Sequence, residues 1–215
     1  KGTLIIKENM KNSTEKLLSI CICTLPERKY MLHQLIEKLE NQINNTYLPS
    51  YRYEILYDST DRGLMTIGAK RNKLKSYAKG KYVCYIDDDD TISGNYIDLI
   101  TEGAMFNVDI ITFGQDQYVN GKYLSTTFIN RFLNEQNKES ERFLGTINNE
   151  LNLSHITYHA GSCYHLTPVK REISLQIKFR NVNNLEDHLY SEGIKRYLQS
   201  EYHIPHVLYI VNHNG

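Results

Sequence analysis

Residues 82–95 read YVCYIDDDDTISGN. Tyr82, Val83, Cys84, Tyr85 and Ile86 form a short apolar and aromatic run, which reads as a buried β-strand. Asp87, Asp88, Asp89 and Asp90 follow without a break. Four carboxylates do not belong in a core, because unpaired buried charge is strongly unfavourable. They also repel one another. A hard divalent cation, which takes carboxylate oxygens and shares its other positions with water and phosphate, is the simplest device that would hold them together. The alternative is a solvated acidic turn, helped by Thr91, Ser93, Gly94 and Asn95. Ligands of open α/β sheets bind beyond the carboxyl ends of the strands, so this stretch predicts an architecture and a site together.

The chain on either side supports that architecture. Residues 17–24, LLSICICT, read as a strand stopped by Pro26. Leu32, Leu35, Ile36, Leu39 and Ile43 then recur at helical spacing and predict an amphipathic helix over about 29–43. Residues 53–57, YEILY, are a second strand, and 67–78 a second helix closed by Gly80. Strand, helix, strand, helix, strand predicts an α/β domain with a largely parallel central sheet flanked by helices. Beyond it we read a helix over 95–106, a strand over 108–113 and a hairpin over 115–128 turning at Asn120-Gly121. Residues 130–155 are polar and read as a mobile or acceptor-facing segment. A strand over 156–166, a turn or short helix over 168–175, a helix over 185–198 and a strand over 207–211 complete the chain. Residues 1–16 read as an N-terminal extension. Residues 17–94 form one half of the domain, and 95–215 the other.

Bulk composition excludes several classes. Lys and Arg number 25, as do Asp and Glu, so the net charge is zero and no general polyanion-binding field is implied. The four cysteines, at 21, 23, 84 and 163, lack the paired spacing of a zinc site and are expected to be reduced. No apolar run approaches the length of a membrane span and no signal peptide is visible, which predicts a cytoplasmic protein without a membrane partner.

Three strand ends carry polar groups that packing does not require. They are Thr24 with Glu27 and Arg28, then Asp58, then Asp87 to Asp90. In a parallel sheet they lie side by side. Arg71 falls on the inward face of the 67–78 helix with Ile67, Leu74 and Ala78. It needs a partner: Asp58, an aspartate of the cluster, or a diphosphate. Lys70, Lys73, Lys75, Lys79 and Lys81 surround it; Lys75, Lys79 and Lys81 read as a solvated face. In the 185–198 helix, Asp187 shares a stripe with Tyr190, Ile194 and Tyr197, while Glu186 lies off it. Asp187 either caps the helix or serves as a general base. His213, after the last strand, is a candidate imidazole ligand for a metal at the aspartates.

Several segments resemble family 2 glycosyltransferases of the GT-A fold. SICICTLPERKYMLHQLIEKLENQ is similar to that family's opening strand and helix, and YEILYDSTD to its second strand. IGAKRNKLKSYAKGKYVCYIDDDD resembles the helix leading to the family's Asp-x-Asp metal motif. HLTPVKREISLQIKF with NLEDHLYSEGIKRYL resembles its acceptor-side segment and Glu-Asp base motif. The resemblance spans about 17–212. It implies an inverting, metal-dependent transfer of sugar from a nucleotide-sugar donor, with a UDP-sugar the expected one. Mg²⁺ or Mn²⁺ would lie at Asp87 and Asp89, helped by His213. Thr24, Pro26, Glu27, Arg28, Asp58, Lys70, Arg71, Asp87 and Asp88 would contact the nucleotide sugar, with Asp58 reading uracil and Asp187 acting as base. The acceptor is expected to be a saccharide, a small molecule or a modified base in phage DNA. The chain departs from the family pattern at Ser59-Thr60, in having four consecutive aspartates, and at Leu185, where glycine usually precedes Glu-Asp. Two other readings compete: a haloacid-dehalogenase-like phosphatase using Asp87-x-Asp89-x-Thr91, and a GT-A-like module that binds nucleotide sugar without turnover.

Overall fold

The computed structural model describes residues 15–130, 156–160 and 165–213. The N-terminal extension up to residue 14, the polar segment 131–155 and Cys163 lie outside the described residues.

Three parallel strands form the frame of the site. β1 (Leu18–Cys23) lies between β2 (Tyr53–Asp58) and β3 (Tyr82–Asp87), and Cys23 is in register with both Asp58 and Asp87. The three polar strand ends are therefore neighbours on one edge, as the alternating pattern predicts. Side chains of a strand alternate between faces, and here both faces are covered. On one face Ile20, Ile22, Tyr82, Cys84 and Ile86 pack with Leu32, Leu35, Leu39 and Ile43 of α1 (Lys29–Asn45) and with Ile97 and Ile100 of α3 (Tyr96–Ala104). Each buried leucine or isoleucine contributes about 1.5–3 kcal/mol. On the other face Cys21, Cys23, Val83 and Tyr85 pack with Leu74 and Ala78, at the end of α2 (Ile67–Tyr77), and with Phe179, Tyr190 and Ile194. Cys21, Cys23 and Cys84 are free thiols, and burial pushes those of Cys23 and Cys84 up to about 12.

The rest of the sheet is mixed. After the two-residue β4 (Thr91–Ile92), the predicted strand and the first arm of the predicted hairpin are one continuous strand, β5 (Ile110–Val119). It turns at Asn120-Gly121, both at positive φ (48° and 74°), the two-residue geometry that the Asn-Gly pair favours, into β6 (Lys122–Asn130). β7 (Ile156–Ala160) pairs parallel to β6. β8 (Val169–Lys170) runs antiparallel to both β3 and β5 and stitches them together. It leads into a single turn of helix, α4 (Arg171–Ser174). α5 (Glu186–Ile194) continues as a 3-10 turn over Lys195–Tyr197. β9 (Glu201–His213) is far longer than the expected 207–211, and it pairs parallel to β5 and antiparallel to β4. That last pairing folds the chain after the aspartates back onto β9. Among the described residues no helix is long and apolar enough to cross a membrane.

Candidate active site at the carboxyl edge of the sheet

The four aspartates form a turn between β3 and β4, closed by the Asp90 amide donating to the Asp87 carbonyl at 3.2 Å. They do not converge on one point. All four are taken by protein groups, so the repulsion that a cation would relieve is met largely by the protein itself. Asp87 Oδ1 accepts from Arg71 at 3.0 Å, and its Oδ2 lies 3.3 Å from Nε2 of His165. Burial raises the Asp87 carboxyl, but the Arg71 guanidinium and His165 outweigh it and hold it well below the usual carboxylate range. Asp88 is buried and accepts from Thr24 Oγ1 at 2.6 Å and from Arg28 at 2.8 Å. The same Arg28 Nη1 donates to Asp89 Oδ2 at 2.8 Å. Asp90 accepts from the Tyr209 hydroxyl at 2.9 Å and the Asn212 amide at 2.9 Å, while burial pushes it up to about 7. Tyr209 also accepts the Asp87 amide, so one phenol on β9 touches both ends of the turn.

Arg71 is the hub on the other side. It is 2% exposed, and besides Asp87 it donates to Glu186 Oε1 at 2.7 Å. It also lies 5.8 Å from the centroid of the Tyr85 ring and 5.6 Å from that of Phe179. The predicted need for a partner is met by two carboxylates, one from β3 and one from α5. The helix that carries Arg71 starts where Thr66 caps it, its hydroxyl accepting from the Ala69 amide at 3.2 Å. Its second residue must be glycine: a Cβ on Gly68 would lie 1.8 Å from the Arg180 carbonyl oxygen.

Two expectations for these helices are corrected. Glu186 is not off the inward stripe; it is 4% exposed and locked to Arg71. Glu186, Tyr190 and Ile194 repeat at i, i+4 and i+8, and that stripe faces the core, while Asp187 stands beside it with its side chain 36% exposed. Asp187 Oδ1 accepts the His188 amide at 2.7 Å, and its Oδ2 lies 3.7 Å from Nδ1 of His165. Lys75 is not solvated. It is 3% exposed, donates to the Ser174 and Ile177 carbonyls, and sits 5.2 Å from the ring centroids of both Phe179 and Tyr190. Burial among them pushes it down to about 8.

The remaining predicted residues fall around the same edge. Pro26 and Glu27 lie exposed on a 3-10 turn, Pro26–Arg28, at the rim. Lys70 is buried and donates to the Thr24 carbonyl at 2.7 Å. Asp58 is buried; its Oδ1 accepts the Thr60 amide and its Oδ2 accepts from Lys73, and these bonds outweigh burial and lower its carboxyl. A cavity of about 430 Å³ lies beyond β2, lined by Tyr57, Asp58, Thr60, Lys73 and Tyr77. Another of about 380 Å³ lies beside the acidic turn, between Gln34 and Lys38 of α1 and Asp88 to Asp90. A larger cavity of about 590 Å³ opens at the opposite end of the strands, by Lys79, Lys81 and Arg171, and no predicted site residue lines it. Thr91, of the Asp-x-Asp-x-Thr reading, accepts from Lys38 at 2.9 Å. His213 ends β9, exposed; strand alternation sends it to the opposite face from Asn212, whose side-chain Nδ2 donates to the Asp89 carbonyl at 3.5 Å.

Carboxylate oxygens are the hard donors that Mg²⁺ and Mn²⁺ take, and Asp89, a third exposed with one oxygen on Arg28, is more open than Asp88 and slightly more so than Asp87. Among the described residues no group of three or more His, Cys, Asp and Glu side chains is arranged to hold a metal ion. A cation here would be bound through one or two carboxylates, with substrate oxygens and water filling its other positions, which is the usual habit of Mg²⁺.

Sequence reasoning missed His165, Tyr209 and Asn212. His165 sits in an apolar run, and the two β9 residues carry no motif. The spacing of Glu186 with Tyr190 and Ile194 was a usable signal.

No protein-family model matches the chain, and no curated protein matches its sequence. Solved structures do. A crystal structure of Staphylococcus aureus TarS, residues 1–349 in complex with UDP-GlcNAc, superposes with a TM-score of 0.59 at 15% identity, over 91% of this chain and 58% of that one. The same protein in complex with UDP gives 0.58 at 15% identity, over 91% and 60%. A further TarS crystal structure gives 0.55 at 14% identity, over 91% and 36%, so this chain spans between 36% and 60% of the TarS chains it matches. With a mixed sheet covered by helices on both faces and an acidic turn at the carboxyl end of its third strand, the chain has the GT-A fold.

Proposed function

We propose that this protein is a nucleotide-sugar-dependent glycosyltransferase that moves a sugar from a UDP-sugar to an acceptor hydroxyl with inversion. One observation carries the reading: Asp187, from a helix, faces the acidic turn across a single buried histidine, at the edge where an α/β sheet binds ligands. The complexes of TarS with UDP-GlcNAc and with UDP support the choice of donor.

The donor lies along the three strand ends. Uracil occupies the cavity by Asp58, whose carboxylate accepts from the N3–H that cytosine lacks, and Thr24, Pro26 and Glu27 form the floor beneath base and ribose. Arg28, freed from Asp89, turns to the diphosphate, for which a planar bidentate donor is suited. Lys70 and Arg71 act from below by fixing Thr24 and Asp87. Mg²⁺ or Mn²⁺ at Asp89, with Asp87 beside it and Asp88 holding Arg28, would neutralise charge on the departing diphosphate. Asp187 takes the proton of the acceptor hydroxyl. The acceptor oxygen forms its bond to the anomeric carbon as the bond from that carbon to the phosphate oxygen breaks, and UDP leaves with the bonding pair. One displacement of this kind inverts the anomeric centre.

The test is a thermal-shift panel of nucleotide sugars with and without Mn²⁺, followed by release of UDP. A UDP-sugar should raise the melting temperature more than ADP- or CDP-sugars do, and more with Mn²⁺ than in EDTA. No shift with any nucleotide sugar would refute the reading, and equal shifts in EDTA and Mn²⁺ would refute its metal.

A further inference from the structure

His165 is given no chemical role in the donor and base assignments above, yet it is the side chain that connects Asp87 with Asp187. Its side chain is 9% exposed and spans two carboxylates, with Nε2 at 3.3 Å from Asp87 Oδ2 and Nδ1 at 3.7 Å from Asp187 Oδ2. The residue belongs mechanically to β3. Its carbonyl accepts the Tyr85 amide at 3.3 Å, and its ring leans on Tyr85 at a centroid distance of 6.4 Å. Among the described residues Nδ1 is buried without a hydrogen-bond partner, and such an atom calls for an explanation. It points at the one Asp187 oxygen that the His188 amide does not use.

Asp187 needs an outside reference. The His188 amide that holds its Oδ1 is the next residue along, so that bond travels with α5 and cannot fix the carboxylate relative to the strands. Arg71 ties α5 to Asp87 through Glu186, but it holds the helix rather than the Asp187 side chain. The gap of 3.7 Å is longer than a hydrogen bond, and a shift of well under 1 Å closes it.

We infer that His165 is a positioning residue for Asp187: it fixes the carboxylate against the β3 edge, and its Nδ1 closes on Asp187 Oδ2 when a substrate fills the cleft. This rests on the reading of Asp187 as the base. The displacement itself is unchanged, and His165 takes no proton from the acceptor.

Two side-chain amides separate the two ends of the ring. Asn places a polar atom near the position of Nδ1, and Gln near that of Nε2. The full chain is assayed for UDP release from UDP-GlcNAc, with water as acceptor, and for UDP affinity by calorimetry. His165→Ala should lower kcat roughly a hundredfold, the scale on which small misplacements are felt, with KM and UDP affinity within about twofold. His165→Asn should recover most of kcat, and His165→Gln should not. An Ala variant with full turnover, or recovery by Gln and not by Asn, overturns the inference; the second result would assign the ring to Asp87 alone. A readout without turnover accompanies these. In protein carrying ¹⁵N-labelled histidine, Asp187→Asn should shift the Nδ1 resonance of His165 more than Nε2, and an unmoved Nδ1 overturns the inference. If the unmodified protein releases no UDP from any UDP-sugar, the glycosyltransferase reading fails separately, and the ring shifts still decide whether His165 holds Asp187.

Discussion

Leu185 introduces α5 at φ 63° and ψ 6°, in the left-handed region, two residues before Asp187. Its side chain does little to justify that conformation, since the residue is 69% exposed. A side chain bearing a Cβ costs about 1–2 kcal/mol there. Glycine escapes that cost but gives the unfolded chain more freedom, worth about 0.4–1 kcal/mol. Comparing Leu185→Gly with Leu185→Ala removes the leucine contacts from the balance, because both lose them. The difference left is strain relief minus chain entropy, about 0.8 kcal/mol in favour of glycine at the midpoints of those ranges. At an ordinary helix or strand position glycine is instead worse than alanine by about 0.5–1 kcal/mol. The sign alone is therefore diagnostic. In urea denaturation the glycine variant should have the higher midpoint at an unchanged slope, and in a thermal melt it should lead by about 2–3 °C for a chain of this size. An alanine variant as stable as the glycine variant, or more so, would refute the claim that Leu185 is strained.

Asp187→Asn should melt near the unmodified protein, because Asn can still accept the His188 amide, yet turn over at least about a hundredfold more slowly in a UDP-release assay; retention of most activity would move the base elsewhere. Arg71→Met should cost about 3–5 kcal/mol in urea denaturation, because Asp87 and Glu186 lose their shared cation in a buried setting; a loss under about 1 kcal/mol would mean the pair is solvated. Lys75→Met tests pH dependence. Burial sets the folded value of Lys75 at about 8, below an unfolded value near 10.4, so the unfolded chain binds more protons between those limits. The stability contributed by Lys75 thus rises with pH across that window, and any advantage of the Met variant at pH 7 should shrink by pH 9.5; a constant gap between the two proteins would show that Lys75 is not depressed. Gly68→Ala should displace the backbone at Arg180 and lower both stability and donor affinity, read by melting and UDP calorimetry; a variant equal to the parent in both would show that this contact is not required.

The parallel half of the sheet was legible because β1, β2 and β3 are short apolar runs separated by helices of regular period. The carboxyl-edge site was legible for the same reason, since three strand ends with unneeded polar groups must be neighbours in such a sheet. Arg71 advertised itself as a charge on an apolar stripe. Glu186 did not, because Asp187 and Glu186 both fit a helical stripe with Tyr190, and only the spacing of four to Tyr190 and Ile194 distinguishes them. Lys75 was misread because a periodicity within one helix does not show that Phe179 and Tyr190, about a hundred residues later, cover its outer side. β4 is two residues long and has no period at all. His165 meets Asp87 across 78 residues and Tyr209 meets Asp90 across 119, and no local pattern marks such pairs.

Those separations also set an order of events as the chain is made. Asp87 to Asp90 emerge from the ribosome with Thr24, Arg28 and Arg71 already available. Tyr209 and Asn212, which bond the Asp87 amide and the Asp90 carboxylate, follow some 122 residues later. At roughly 5–20 residues per second, that is an interval on the order of ten seconds. During it the nascent chain carries a partly neutralised acidic turn, and β5 lacks the parallel partner that will cover one of its edges. Docking of β9 closes both at once, which makes a non-local strand pairing the late step in assembly and exposes the open edge of β5 to other chains until then.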